Sequence, residues 1–437
     1  MKTFKIARGH NLKLSGMPSE KIINVKVPDS VYYHPSSIKN IKVKLLIKEG
    51  DSVKVGSPLF YDKKNEDVMF VSSCSGLIKK VQFGPRRIVE LIEIQNDKKN
   101  IKLDKLDNKI NKENILKSGL WSYLRENPYS KIPHYSSNPK SIYISSMPTE
   151  PFALSCEYLM NNCKNHLQSG IDALKNIFDC DINIISLDNS IFSKLNAVNH
   201  YSFNKLHPAG NVGVQIHHID PIKNGNDTRW YLSLQDLNRI GAFFNGGEYP
   251  NSRYISVGGN GITNQAIYKI IIGTPIKDIL KDNLLDNAQI ISGDVLSGKA
   301  VTEENSLNFY DEVLSIIKND NKREFLGWLM PGFKKYTLTN TFFSKLLNND
   351  NSELSTRKNG SARTIIPIGN WDIVMPMNIM SEYLVKSILA NYIDMMEKLG
   401  IYECSPEDFS LCAFACQSKV EVSKIIEDGL DIMENEA

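Results

Sequence analysis

Histidine is the first residue type to consider for chemistry, because four of the eight histidines lie between His200 and His218. His217 and His218 are adjacent in a stretch, Val212 to Ile219, whose apolar pattern predicts a strand. Neighbouring side chains on a strand point to opposite faces, so this pair is poorly placed to chelate one metal ion. We predict no metal site here.

His207 begins the turn-like sequence HPAG, which contains Pro208 and Gly210. An imidazole N–H in such a turn can donate a hydrogen bond to a carbonyl of a bound ligand or a partner chain. It can equally fix a loop or an interface. Both interpretations stay open, and we predict no catalytic residue. The candidate ligand or partner contacts are His207, Pro208, Gly210, His217 and His218.

Three cysteines near the end of the chain, Cys404, Cys412 and Cys416, are spaced C-x7-C-x3-C. Ferredoxin-type clusters use C-x2-C-x2-C-x3-C-P, so two ligands have no counterpart and Gln417 replaces the proline. The spacing argues against an iron–sulfur or zinc site. The total of seven cysteines, odd and scattered, indicates reduced thiols in a cytoplasmic protein.

The loop after the predicted strand Ser141 to Met147 reads Pro148-Thr149-Glu150-Pro151. A dinucleotide site needs glycines there, so that backbone amides can approach a pyrophosphate. This loop has no glycine, and its two prolines lack an N–H donor. We therefore predict that it cannot bind NAD or FMN in the usual way. Walker A, HExxH and GxSxG patterns are also absent.

Composition restricts the function classes further. The chain has 437 residues, 41% hydrophobic and 23% charged, which is typical of a multidomain globular protein. A net charge of +3 does not indicate nucleic-acid binding. No run of about 18 apolar residues predicts a membrane span, and the N-terminus lacks the apolar region of a signal peptide.

The elements that must position these residues begin with a β-rich unit at Ile47 to Ile94. Short alternating runs are separated by turns at Glu49-Gly50-Asp51, Gly56-Ser57-Pro58 and Ser75-Gly76. This order resembles the lipoyl/biotinyl carrier domain, a barrel-sandwich hybrid. A carrier would have a modifiable lysine at the hairpin tip, near Lys63 and Lys64, but the flanking Met or Ala is missing. The alternative is a solvated, charged tip.

The middle of the chain predicts an α/β domain. Helical periodicity over Cys156 to Phe178 lies between the strand Ser141 to Met147 and an apolar strand at Ile182 to Leu187. This βαβ order indicates a parallel sheet. Further predicted elements are a helix near Lys112 to Leu124, a strand at Trp230 to Leu234 and a helix at Leu237 to Phe244 ending at Asn245-Gly246-Gly247.

A smaller unit follows, with strands at Tyr254 to Gly259, Ile267 to Ile272 and Gln289 to Ser292 and a short helix at Ile276 to Leu280. This order resembles a β-grasp. The glycines from Gly258 to Gly261 predict a tight turn with positive φ rather than a phosphate loop.

The last part predicts strand-like segments at Phe325 to Leu347 around Pro331-Gly332. A helix is predicted at Met380 to Leu399 and another at Val422 to Met433. The predicted fold class is therefore mixed α/β and multidomain. Its domains are a lipoyl-like barrel-sandwich hybrid at 1–97, a Rossmann-like α/β domain without a nucleotide loop at 112–250, a β-grasp (SLBB-like) domain at 251–320, and a mixed, then helical C-terminal domain at 321–437.

Ten ordered segments resemble one family. They include RGHNLKLSGMP at Arg8, KEGDSVKVGSPLFYDKKN at Lys48, SGLWSYLRENPYSKIP at Ser118, HPAGNVGVQIHHIDPI at His207, SLQDLNRIGAFFNGGEY at Ser233, FLGWLMPGFKKYTLTNTFF at Phe325 and NGSARTIIPIGNWDIVMPMNIM at Asn359. In this order they resemble the NqrA family, the A subunits of the bacterial Na+-translocating NADH:quinone reductase, over nearly the full length.

The resemblance implies one component of a translocase that passes electrons from NADH to ubiquinone and exports Na+. It implies a peripheral position on the cytoplasmic face of the bacterial inner membrane, bound to the membrane-embedded B subunit of a six-subunit complex. NADH oxidation, flavins and iron–sulfur centres would belong to the other subunits, and ubiquinone is the ligand to consider for His207. No family motif assigns a catalytic residue.

The architecture is also similar to the flavin-bearing, NADH-oxidising subunit of respiratory complex I and to the C subunit of the Rnf complex, which hold FMN and iron–sulfur clusters. An alternative function is therefore a self-contained flavin or iron–sulfur electron carrier. The loop at Pro148 and the sparse cysteines argue against it. A lipoyl-type carrier is a further alternative, carried by Lys63 or Lys64.

Overall fold

The structure is a computed structural model. It describes residues 2–104, 109–187, 192, 194–246, 249–320, 325–327, 329–333, 335–338, 342–347 and 351–436. Gly247, at the predicted helix stop, lies outside the described residues. Within these ranges, no helix is both long and apolar enough to cross a membrane.

The first domain is built from two small antiparallel sheets that face each other. Alternating apolar residues such as Val53, Val55, Ile92 and Ile94 are buried between the sheets, as period-two patterning requires. One sheet has the order β3-β9-β8-β5 and the other the order β4-β6-β7. The strands are β3 (Ser30–Tyr33), β4 (Val43–Leu45), β5 (Ser52–Val53), β6 (Pro58–Asp62), β7 (Asn65–Val71), β8 (Gly76–Phe83) and β9 (Val89–Asn96).

Two strands at the start of the chain leave this domain. β1 (Lys2–Phe4) pairs in parallel with Tyr201 to Phe203, at the edge of the second domain's sheet. β2 (Ile22–Asn24) pairs in parallel with Ile267 to Lys269 in the third domain. The first part of the chain therefore joins three domains through backbone hydrogen bonds.

The second domain is an α/β domain around a six-stranded sheet of order β1-β13-β12-β11-β14-β10. Its strands pair in parallel, except that β10 is antiparallel to β14. The strands are β10 (Arg125–Asn127), β11 (Ser141–Ser145), β12 (Asp181–Ser186), β13 (Asn199–Phe203) and β14 (Arg229–Ser233). The helices are α1 (Lys112–Lys117), α2 (Cys156–Cys163), α3 (Leu167–Phe178), α4 (Val212–Ile219) and α5 (Leu234–Gly246).

The sheet of this domain separates two hydrophobic cores. Ile144 and Leu232 face a core shared with α3, α5 and the first domain. Their strand neighbours Tyr143 and Tyr231 face the opposite core, which contains the C-terminal helices. Since successive side chains alternate across a strand, both faces of the sheet are apolar and both are covered.

Three sequence predictions fail in this domain. Val212–Ile219 is helix α4, not a strand, because its apolar residues also fit helical spacing and tertiary packing selects the helix. The single helix predicted at Cys156 to Phe178 is two helices, and the helix at Lys112 to Leu124 is α1 followed by a 3-10 turn at Leu120–Tyr123.

The third domain has a six-stranded mixed sheet of order β18-β17-β19-β15-β16-β2. The turn residue Gly259 has φ +118°, the positive φ expected from its sequence. The strands are β15 (Ser252–Gly258), β16 (Ala266–Ile271), β17 (Ala288–Ser292), β18 (Lys299–Val301) and β19 (Val313–Lys318), and the helix is α6 (Ile276–Leu280).

The C-terminal helices pack on the second domain's sheet and on α4. The predicted helix at Met380 to Leu399 is interrupted at Asn391, which has φ +52°. The described residues between 325 and 347 form turns and one 3-10 helix, Phe343–Lys345, instead of strands. The helices are α7 (Ser381–Leu389), α8 (Ile393–Lys398), α9 (Ser410–Ala415) and α10 (Val422–Glu436).

A buried carboxyl group on β10 makes the stability of this arrangement depend on pH. Glu126 is 7% exposed, and its nearest ion-pair partner, Lys131 Nζ, is 4.0 Å away. Burial raises the pKa of Glu126 to about 7 although Lys131 opposes the shift. The folded state therefore keeps a proton that the unfolded chain loses near 4.5, so the stability from this site falls as pH rises between about 4.5 and about 7.

We expect Glu126→Gln to stabilise the protein above pH 7, by up to about 3 kcal/mol, and to change stability little below pH 4.5. Urea unfolding at both pH values measures the difference. Glu113→Gln is the matched control, because Glu113 is exposed and pairs with Lys117 on the same helix. An equal effect of Glu126→Gln at both pH values would contradict the assignment.

Candidate functional site

A concave space beside the sheet lies at the carboxyl ends of β11 and β14. It is a crevice with a volume of about 350 Å3. In the sheet, β11 lies between β12 and β14. The chain leaves β11 through helices that lead to β12 on one side, whereas β14 pairs with the opposite edge of β11. Such a point of divergence is where open parallel sheets bind ligands. We call this space the crevice.

The loop after β11 closes one side of the crevice with side chains. The Gly210 N–H donates to Thr149 Oγ1 over 2.9 Å. A Cβ on Gly210 would lie 2.5 Å from the Met147 carbonyl oxygen, so only glycine fits this approach. The predicted contact Gly210 is therefore a packing glycine against the glycine-free loop.

Five carboxylates line the crevice, against two cations, Arg125 and Lys299. Glu150 comes from the loop after β11, Glu407 from the C-terminal region, and the others from the third domain. Burial, reinforced by Asp294, raises the pKa of Glu150 to about 7. Burial also raises the pKa values of Asp294, Glu312 and Glu407. The crevice is therefore lined mainly by acidic side chains, and burial favours the neutral form of these four.

Arg125 on β10 is held as a fixed cation beside these carboxylates. Its guanidinium lies 4.5 Å from the ring centre of Tyr231 and 4.6 Å from that of Tyr310. The Tyr310 hydroxyl donates to the Ser122 carbonyl over 2.8 Å, which fixes one ring. Stacking between two aromatic faces stabilises the cation and limits its reach toward a ligand.

His207 lies at the edge of the crevice and is 2% exposed. Its backbone N–H donates to Asn11 Oδ1 over 2.7 Å, and its Nδ1 lies 3.2 Å from Thr149 Oγ1. Burial, with a contribution from His10, lowers the pKa of His207 to about 4, so the ring is neutral at pH 7. Its Nε2 is enclosed and has no hydrogen-bond partner in the described structure. Pro208 follows in the same turn.

His217 and His218 lie elsewhere, on α4. The strand argument against a shared metal is wrong in its premise, since the two residues are helical neighbours. His217 Nδ1 lies 2.7 Å from a Glu403 carboxylate oxygen, and its Nε2 accepts from the Asn378 N–H over 3.0 Å. The ring centre of His218 is 6.1 Å from that of Phe203. Both histidines connect α4 with neighbouring segments and do not join His207 at the crevice.

The C-terminal cysteines are packed into the core. Cys404, Cys412 and Cys416 are all buried, and burial raises the pKa values of the Cys404 and Cys412 thiols. Among the described residues, no group of three or more His, Cys, Asp or Glu side chains is placed to hold a metal ion. Cys74 and Cys180 are also buried, whereas the side chains of Cys156 and Cys163 lie outside the described residues.

The hairpin tip between β6 and β7 carries Lys63 and Lys64, both exposed. The next residue, Asn65, donates to the Pro133 carbonyl over 3.0 Å and accepts from the Tyr135 N–H over 3.0 Å. The base of the tip is therefore attached to the second domain, whereas a carrier arm must move between sites.

Sequence reasoning missed the residues that give the crevice its charge. Glu150 lies in the glycine-free loop after β11, so the sequence alone could have placed it at the end of that strand. Arg125, Asp294 and Glu407 are distant from it in the chain and carry no motif. Only the packing of the second domain against the third and the C-terminal region brings them together.

The fold and crevice define a class of multidomain chain: a barrel-sandwich hybrid, a parallel α/β domain and an SLBB-type domain with C-terminal helices. Three family models match it in order. They describe the NqrA N-terminal barrel-sandwich hybrid domain (residues 4–97), the NqrA second alpha/beta domain (residues 106–249) and the NQRA C-terminal domain (residues 254–303).

Full-length relatives agree. The A subunit of the Na(+)-translocating NADH-quinone reductase of Tolumonas auensis is 32% identical and aligns over 99% of each chain. That of Marinomonas sp. is 31% identical over 99% of this chain and 100% of its own. The chain therefore belongs to the NqrA family, the A subunits of the Na+-translocating NADH-quinone reductase, which confirms the predicted family.

One solved structure is similar at a lower level. A chain of the NAD+-reducing [NiFe]-hydrogenase in its air-oxidized state has a TM-score of 0.34 and 11% identity, over 42% of this chain and 41% of its own. This similarity is too weak to support a conclusion.

Proposed function

We propose that this chain is the peripheral NqrA component of a Na+-translocating NADH-quinone reductase. That complex transfers electrons from NADH to ubiquinone and uses the energy released to export Na+. In this proposal it lies on the cytoplasmic face of the bacterial inner membrane, bound to the membrane-embedded B subunit within a six-subunit complex. It holds no redox cofactor of its own. Its work is assembly and the shaping of quinone access, and NADH, flavins and iron–sulfur centres belong to the other subunits.

The observation that supports the cofactor-free role is the scarcity of available cations among the residues that line the crevice. A flavin mononucleotide or dinucleotide brings a phosphate dianion or pyrophosphate to this end of a parallel sheet. Here five carboxylates line that position, and Arg125 is already held between two tyrosine rings. A phosphate dianion needs cationic partners, and of the two cations in the lining Arg125 is engaged by these rings, so FMN fits these residues poorly.

The assembly role predicts a large contact with the membrane partner. A stable interface between two chains buries above roughly 1,000 Å2. Exposed apolar side chains are frequent in the C-terminal region, where Ile366, Ile373 and Leu389 are each at least 60% exposed. These exposed side chains support the proposed contact with a further component of the complex.

The test is an absorption spectrum of the purified chain followed by a titration with FMN. We expect a colourless protein and no saturable change in flavin fluorescence. Flavin or iron–sulfur absorption would instead favour the alternative, a self-contained electron carrier. Intact mass measurement addresses the lipoyl-type alternative, because a modified Lys63 or Lys64 would add the mass of its group.

A quinone contact at the crevice is the finer part of the proposal. His207 is neutral, borders the crevice and has an unpaired Nε2. A ligand carbonyl could accept from Nε2–H once the side chains covering that atom move. Pro208 and Gly210 shape the same turn. His217 and His218 lie apart and are proposed only as contacts between segments or with a partner.

We expect His207→Ala to weaken binding of a soluble ubiquinone to the purified chain by about fivefold to tenfold, the effect of one lost hydrogen bond. Quenching of tryptophan fluorescence measures the affinity. His134→Ala is the control, since His134 is exposed and far along the chain from the HPAG turn. Unchanged affinity in His207→Ala would exclude this residue as a quinone contact.

A further inference from the structure

Two acidic side chains at the wall of the crevice share one hydroxyl group. Ser233 ends strand β14, and its Oγ lies 2.8 Å from Glu312 Oε1 and 2.9 Å from Asp236 Oδ2. The same oxygen accepts from the Asp236 N–H over 3.2 Å. Ser233 and Glu312 line the crevice, whereas Asp236, in the first turn of α5, is 4% exposed. The hydroxyl therefore connects an acid that borders the crevice with one that is buried.

The number of protons available decides the charge of this group. A serine hydroxyl has one proton to donate and two lone pairs to accept with. The Ser233 proton can serve only one of the two carboxyl groups, and the Asp236 N–H takes one lone pair. The remaining contact joins two oxygens at hydrogen-bond distance, so a second proton must lie between them. One of the two carboxyl groups is therefore a neutral acid that donates to Ser233.

The position of Arg239 indicates that Glu312 is the neutral member of this pair. Arg239 Nη1 lies 2.9 Å from Asp236 Oδ1, and both side chains are 5% exposed. A buried guanidinium stabilises the negative charge of the carboxylate that it contacts. Asp236 therefore keeps its charge and accepts the Ser233 proton, and the second proton belongs to Glu312.

The charges that face Glu312 come from three elements of the fold. Burial raises the pKa of Glu312, the Arg253 cation on β15 lowers it, and Asp236 on α5 raises it further. Glu150, in the loop after β11, adds another acidic group within range of Glu312. Arg253 is directed elsewhere, since its Nη1 donates to the Phe309 carbonyl over 2.7 Å and its Nη2 lies 3.7 Å from Asp236 Oδ1. Burial and the acidic neighbours therefore favour the protonated form of Glu312.

We propose that Glu312 carries a proton at neutral pH and donates it, in a hydrogen bond, to a carbonyl oxygen of the ligand that enters the crevice. The Ser233 hydroxyl can rotate its proton from Asp236 to Glu312, which frees the Glu312 O–H for the ligand. Asp236 then still has Arg239 as its partner. Ser233 and Asp236 are positioning residues, and Glu312 is the residue that touches the ligand.

The protonation of Glu312 does not depend on any ligand, but the identity of the ligand rests on the proposed function, in which it is ubiquinone. Two measurements on the purified full-length chain separate these parts. Infrared spectroscopy detects the proton of a carboxyl group without a ligand. Quinone binding then reports on the hydrogen bond that this proton is proposed to make.

The first measurement is the infrared difference spectrum between the wild-type chain and Glu312→Gln at pH 7. We expect the wild type to show the carbonyl band of a protonated carboxyl group that the variant lacks. Ser233→Ala should shift this band, because it removes the hydrogen-bond partner, whereas Ser233→Thr keeps a hydroxyl and should leave the band in place. Glu66→Gln, at an exposed position of β7, is the control and should keep the band. A carboxylate band from Glu312 at pH 7 would overturn the proposal.

The second measurement is the affinity for a soluble ubiquinone at pH 7, followed by tryptophan fluorescence. Glu312→Ala should weaken binding about fivefold to tenfold, the effect of one lost hydrogen bond. Glu312→Gln retains an N–H donor and should recover most of this loss. Equal losses in the two variants would refute the donor role. A chain that binds no ubiquinone would refute both the quinone contact and the donor role, while the infrared spectrum would still decide whether Glu312 holds the proton.

Discussion

Arg229→Met should lower the free energy of unfolding by about 3 kcal/mol. The Arg229 side chain is completely buried. Its Nε lies 2.7 Å from Asp220 Oδ2 and its Nη1 2.6 Å from Asp227 Oδ1. Removing the cation leaves the Asp220 and Asp227 carboxylates without their buried partner, and with the exposed Lys140 beside them. Because both carboxylates are partly accessible to water, the loss should fall at the lower end of the range for buried pairs.

Lys140→Met is the matched control. Lys140 Nζ lies 3.2 Å from the Asp220 carboxylate and 3.8 Å from that of Asp227. It therefore forms ion pairs with the same two carboxylates, but on their solvent-exposed side. Its side chain is 55% exposed, and an exposed ion pair contributes below about 1 kcal/mol. Urea unfolding of both variants provides the comparison. Equal losses would mean that burial of Arg229 does not determine the strength of the pair.

The Arg229–Asp220 ion pair lies between helix α4 and strand β14. Asp220 directly follows helix α4, and Arg229 begins strand β14. The pair therefore fixes the end of α4 against the sheet. His217 on the same helix contacts Glu403 in the C-terminal region. Loosening α4 should also increase hydrogen exchange in the segment around Glu403.

Gly241→Val should destabilise the second domain by more than about 3 kcal/mol, through overpacking. Helices α3 and α5 cross with glycines at the contact. A Cβ on Gly241 would lie 1.9 Å from the His166 carbonyl oxygen and 2.7 Å from the Gly170 nitrogen. A Cβ on Gly170 would in turn lie 2.5 Å from the Leu237 carbonyl oxygen. Both clashes are with backbone atoms, so a side-chain rotation cannot relieve them.

The series Gly241→Ala and Gly241→Val contains its own control. Helix propensity alone predicts that alanine stabilises an interior helical position by about 0.5 to 1 kcal/mol relative to glycine. The close helix contact predicts the opposite sign, with a loss that grows from alanine to valine. Thermal unfolding measures both variants. A stabilising Gly241→Ala would show that the two helices can separate at little cost.

The amino-acid pattern was sufficient to predict the β-rich first domain, the βαβ order of the second domain and the short strands of the third domain. In these regions the secondary structure that the local pattern favours is the one that the tertiary structure contains. Alternating apolar residues bury one face of a strand, and glycines such as Gly259 mark positions that need positive φ. The loop at Pro148 could also be predicted from the sequence, because its lack of glycine is a property of four consecutive residues. Ten ordered segments were enough to predict the family.

Tertiary structure alone decided what local pattern leaves ambiguous. Val212–Ile219 fits both a strand and a helix, and contacts with the sheet and the C-terminal region select the helix. The long predicted helix at Met380 is broken at Asn391, where the sequence has neither glycine nor proline. The lead-in strands β1 and β2 are too short to identify without the sheets that they extend.

The candidate site shows the same limit. His207 and Gly210 could be named from one turn, but Glu150, Asp294 and Glu407 meet only because three distant parts of the chain pack around one end of the sheet. Each of these groups raises or lowers the pKa of its neighbours through space, over distances that sequence separation does not encode. Local pattern therefore predicts many of the elements along the chain, whereas the packing between distant segments brings the acidic residues of the crevice together, because burial and proximity are properties of the folded chain.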